Sequence, residues 1–109
     1  MTAAYADMHV LLCKSNMRKE LVEIYSDASN AAIIRHPGRK FPGILIQGDT
    51  LRNLSRMASN ALASAEPDSD QWHDLKELVD ALEGRVVFYT QVLQDHGLAL
   101  PFSKAESGI

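Results

Sequence analysis

The stretch from Arg35 to Leu51, RHPGRKFPGILIQGDTL, gathers the side chains of this sequence best suited to binding chemistry. Arg35 and Arg39 carry forked donors that match a carboxylate or phosphate, Lys40 is a compact point charge, and His36 stands between them. Further on, Gln47, Gly48, Asp49 and Thr50 read as a helix start, where free amides and the positive end of the helix dipole favour an anion. Brought together, the turn and the helix start would form a pocket for phosphate, a carboxylate or a nucleic-acid backbone.

Two considerations oppose that pocket. Asp49 is placed to act as the N-cap and to occupy the same amides itself. An extended Lys40 to Gln47 also separates the turn from the helix start by roughly 20 Å, at about 3.3 Å per residue. Only a bent strand or a second subunit would join them. A turn followed by a capped helix therefore accounts for these residues more simply than a ligand site does.

Other chemistry is sparse. His73 and Glu77 stand four residues apart on one helix face, but no second pair has ligand spacing, and His9, His36 and His96 are scattered. No metal site or cofactor is expected. Cys13 is the single cysteine, so no internal disulfide forms, and a lone cysteine within an apolar run reads as buried packing. Nucleophile-elbow, phosphate-loop and dinucleotide signatures are absent, and no catalytic residue is assigned. The expectation is a protein that is not an enzyme.

Charge is unevenly spread around a net value of −3. Five Lys or Arg (Arg35, Arg39, Lys40, Arg52, Arg56) face Asp49 alone in the first block. Seven acids from Glu66 to Glu83 then face Lys76 alone. Such asymmetry suits two solvated surfaces, and it also suits steering of a charged partner or subunits meeting basic side to acidic side. The acidic balance and low aromatic content argue against nucleic acid, although Arg52 and Arg56 share a helix face that would extend the basic turn.

The elements that must position these residues follow from pattern. ELVEIYS (Glu20 to Ser26) alternates as a strand, SDASN is a turn, and AAIIRH (Ala31 to His36) is a second strand. HPGR has the Pro-Gly order of a type II turn, and ILIQ (Ile44 to Gln47) is a short third strand after Pro42. A first helix follows Asp49, with Leu51, Leu54, Ala58, Ala61 and Ala65 as its stripe, and ends near Glu66 before Pro67. A second helix starts after Asp68 or Ser69 and carries a heptad-like seam: Trp72, Leu75, Val79, Leu82, Val86, Tyr89, Leu93 and His96. Gly97 suits its left-handed end.

The expected fold is α+β: a small three-stranded antiparallel meander packed against a two-helix antiparallel hairpin. Residues 1–16 read as an N-terminal extension, residues 17–100 as one domain, and residues 101–109 as a loose tail. The second helix outreaches the first, leaving roughly ten residues from Val86 to Leu93 that need a cover. That overhang predicts a homodimer through the Trp72–His96 helix. No run approaches the roughly 18 apolar residues of a membrane span, and the single cysteine suits a reducing cytoplasm.

The block EIYSDASNAAIIRHPGRKFPGILIQGDTLRNL resembles a family of small bacterial proteins of unknown function. Its recurrent core runs from an EIYS-type strand through R-x-P-G-R-x-F-P-G to Q-G-D-[ST]-L. The resemblance implies a bacterial source and no known activity, substrate or catalytic residue. The functional expectation is a binding or regulatory protein acting through protein contacts, of accessory or immunity type. The alternative is a small-anion or nucleic-acid module using Arg35, His36, Arg39, Lys40 and the helix start.

Overall fold

Glu23–Ser26, Ala32–Arg35 and Gly43–Leu45 form strands β1, β2 and β3 in the computed structural model of the chain, which describes residues 17–103. The readings of residues 1–16, of Cys13 and of the tail beyond Ser103 lie outside the described residues. The strands pair antiparallel in the order β1-β2-β3, the meander expected from the turns. β1 is shorter than its alternating pattern. Glu23 pairs with Arg35, so Val22 and Leu21 would have to pair with His36 and Pro37, which open the turn, and Pro37 has no N–H.

That turn is as the Pro-Gly order predicts: the Arg39 N–H donates to the His36 carbonyl at 3.0 Å, and Gly38 takes φ +84°. Helix α1 spans Gly48–Ala63 and helix α2 spans Asp70–Asp95. The cap of α1 differs from expectation. Gln47 is the N-cap and makes no side-chain capping bond, while Asp49 stands inside the first turn. For α2 the cap is Ser69, whose hydroxyl accepts the Trp72 N–H at 3.1 Å. Its far end closes as a Schellman motif, with Gly97 N–H on Gln94 at 3.1 Å and Leu98 N–H on Leu93 at 2.8 Å.

The helices form an antiparallel hairpin. The start of α1, at Gly48, meets Tyr89 late in α2, and Ser59 Oγ donates to Glu83 Oε1 at 3.4 Å nearer the connection. Val79 and Val86 of the seam are buried between the helices, Val86 to 2% exposure, and Trp72, Leu75, Leu82, Tyr89 and Leu93 are half-buried; His96 is exposed. On α1 the inward stripe is Gly48, Leu51, Ser55, Ala58 and Leu62; Leu54 and Ala61 are exposed. Its fully buried members, Gly48, Ser55 and Ala58, are small, which lets the two helix backbones approach. The overhang is correspondingly short, since α1 covers α2 as far as Tyr89.

The sheet adjoins the hairpin where Leu45 and Ile46 approach Tyr89 and Pro101 near the start of α1. Phe102, at the beginning of the expected tail, lies 6.3 Å from Tyr89 between ring centroids. No described helix is long and apolar enough to cross a membrane.

Candidate functional site

The cross-strand pairing of Glu23 with Arg35 decides what the first basic side chain can do. Arg35 grips Glu23 with two parallel bonds, Nε to Oε1 at 2.6 Å and an Nη to Oε2 at 2.8 Å, and its other Nη donates to the Arg39 carbonyl at 3.0 Å. The Tyr25 hydroxyl adds a bond to Glu23 Oε1 at 2.6 Å. These donors, Arg35 first and Tyr25 second, hold the Glu23 carboxyl at about 2. The same contact pushes the Tyr25 hydroxyl up. Arg35 is thus a clasp between β1 and the turn.

The remaining turn residues are more open. His36 Nδ1 donates to the Pro37 carbonyl at 2.8 Å. Lys40 Nζ lies 5.4 Å from the Phe41 ring centroid, a cation–π distance, and Arg39 is exposed with no side-chain partner among the described residues. His36 lines a cleft with Arg18, Glu20 and His96, in which Arg18 bonds to Glu20.

The helix start lies in a different cleft, lined by Gln47, Gly48, Asp49, Leu45, Tyr89 and Pro101. Asp49 Oδ1 accepts the Thr50 N–H at 2.8 Å, so one of the amides that would greet an anion is already taken. Gly48 is buried under Tyr89, and a Cβ there would fall 2.2 Å from the ring. The turn and the helix start are therefore two places. On α2, His73 Nε2 pairs with Asp68 Oδ1 at 2.7 Å, and no group of three metal-ligating side chains occurs among the described residues.

A second surface was anticipated only in its Val86 to Leu93 part, which the sequence reading left in need of a cover. Partners across the sheet share a face, so Ile24, Ile34, Ala32 and Leu45 lie on one side, with Glu23, Arg35, Ile33 and Ile44 on the other. Neither side is covered by a full layer: Ile24 and Leu45 on the first are 61% and 55% exposed, and Ile44 on the second is 58% exposed. Val22, His36 and Leu45 of the first side line clefts with His96, Tyr89 and Pro101. On the hairpin, Leu54, Met57 and Ala61 form a row on α1, and Leu78, Ala81, Arg85 and Phe88 form one on α2. Leu54 immediately precedes the buried Ser55, and Leu78 immediately precedes the buried Val79, so each row is rotated about 100° in the same sense from its buried stripe. In an antiparallel pair, the same sense puts both rows on one side of the layer.

That side is open too, with Met57, Leu78 and Phe88 at 56%, 49% and 57% exposure. It includes a groove of about 520 Å³ lined by Leu51, Phe88, Tyr89, Val92 and Leu93. The opposite side of the hairpin is mostly polar, carrying Arg52, Arg56, Glu83 and the Lys76–Asp80 pair at 2.7 Å, with Val87 40% exposed among them. The signal for the open side was present as the three- and four-residue spacing of Leu54, Met57 and Ala61 and of Leu78, Ala81, Arg85 and Phe88. It is overshadowed by the stronger heptad seam beside it.

No curated protein and no solved structure matches the chain. A family model described as a family of unknown function, DUF6959, matches residues 17–102, a span that contains the whole sheet and both helices. The chain belongs to this family of unknown function.

Proposed function

We propose that this protein is a non-enzymatic binding or regulatory protein of the bacterial cytoplasm that acts through contacts with other protein chains, as an accessory or immunity-type partner does. The observation that carries the reading is the uncovered apolar side of both the sheet and the helix pair. Exposed apolar side chains gathered on a sheet face and on one side of a helix pair are what an interaction surface offers. Self-association through α2 fits the same reading, because its outer row supplies Leu78 and Phe88.

The anion or nucleic-acid alternative draws on Arg39 and Lys40, which are exposed on the turn. It has less support, because Arg35 is committed to Glu23 and Asp49 to the Thr50 amide.

Native mass spectrometry of the protein purified from its own host tests the reading. A second polypeptide, of the same or another kind, in the complex is the expected result. A single chain carrying a small anion or an oligonucleotide, lost on Arg39→Ala with Lys40→Ala, would move the assignment to the alternative.

A further inference from the structure

The open sheet face and the open side of the helix pair are the two halves of one kind of core. A sheet with one apolar face and a pair of helices with one apolar side ordinarily cover each other in an α+β domain. Here the two layers meet at an edge, and apolar residues stay exposed on both: Ile24 and Leu45 on one sheet face and Ile44 on the other, and Met57, Leu78 and Phe88 on the helices. We propose that two copies of the chain complete this core between them, in a two-fold dimer that lays each sheet face on the open helix side of the second copy. The inference rests on the reading of the protein as a contact module and names its partner.

Three observations favour a second copy over an unrelated chain. First, one surface on each copy answers the other, so a two-fold arrangement covers the Ile24–Leu45 face of both sheets and the open side of both helix pairs, and closes. A foreign partner would have to present two unlike complements.

Second, the charges agree. Arg39 and Lys40 stand at the tip of the β2–β3 turn, and Asp74 and Asp70 continue the Leu78 row toward the start of α2. A sheet lying along that row with its turn toward the helix connection brings the basic tip onto the acids. The contact is made twice in a two-fold dimer.

Third, the strand edges are poorly suited to pairing. The β1 register shifts between Ile24 and Ser26, and β3 is three residues long after Pro42. Irregular and very short strands blunt edge-to-edge association, which leaves the faces as the route. Both open faces also lie inside the family-matched span, residues 17–102.

The test is the mass in solution, by light scattering on a sizing column, of the full chain and three variants: Arg39→Glu with Lys40→Glu, Asp70→Lys with Asp74→Lys, and Leu78→Glu. Circular dichroism verifies that each keeps its helices. The full chain is expected at twice the chain mass. Each variant should weaken the dimer at least tenfold, and an equimolar mixture of the two charge variants should restore it. In the mixed pair both turn-to-helix contacts again join opposite charges.

A monomeric full chain overturns the inference. If that monomer still holds a different host protein in native mass spectrometry, the contact-module reading survives without it. A dimer indifferent to Leu78→Glu, or charge variants that fail to rescue each other, also overturns the proposed arrangement.

Discussion

At the scale of residues, the most informative contact is the clasp of Glu23 by Arg35, which turns a candidate anion ligand into part of the sheet. The Glu23 carboxyl falls from 4.5 to about 2 on folding. Because the folded state binds this proton less readily, the contribution is complete above pH 4.5 and is lost as pH falls from 4.5 toward 2. Glu23→Gln should therefore melt at a lower temperature than the wild type above pH 4.5, and the gap should close toward pH 2. A gap that stays constant over that window would remove the clasp as a stabilising contact. Gly48 supplies the second prediction. Its missing side chain is the space that the Tyr89 ring fills, so Gly48→Ala should cost about 1–3 kcal/mol in urea unfolding. In a Tyr89→Ala background the same change should cost much less, since the clash has gone.

At the scale of elements, α2 shows two glycines with opposite roles. Gly84 has open space where a Cβ would stand, so no close packing requires it, and Gly84→Ala should raise stability by up to about 1 kcal/mol. Gly97 holds φ +69° in the Schellman motif, and Gly97→Ala should lower stability by about 1–2 kcal/mol. Thermal melts of the two variants should shift in opposite directions. The ends of α2 were legible because Ser69 and Gly97 have strong local preferences. The start of α1 was not. Asp49 has the side chain of a cap, yet the chain is already helical at Gly48, where Tyr89 leaves no room for a side chain.

At the scale of the whole molecule, the described residues bury three apolar side chains almost fully, Ala58, Val79 and Val86, and all three lie in the hairpin. The sheet is held by its ladder, its turn and the Glu23–Arg35 clasp, and its Ile24, Ile44 and Leu45 are exposed. This is why the dimer test bears on the fold as much as on the function. Local chemistry in the sequence determined the elements: alternation made the strands, Pro37 and Gly38 made the turn, and the 3-4 spacing from Trp72 to Leu93 made the seam. Those preferences act over a few neighbouring residues and need no distant partner. What only the tertiary structure decided is which stripe of α1 faces α2, that Arg35 belongs to Glu23, and that the turn and the helix start line separate clefts. Each depends on groups far apart in the chain meeting in space, where close approach at Gly48, Ser55 and Ala58 outweighs the hydrophobicity of Leu54.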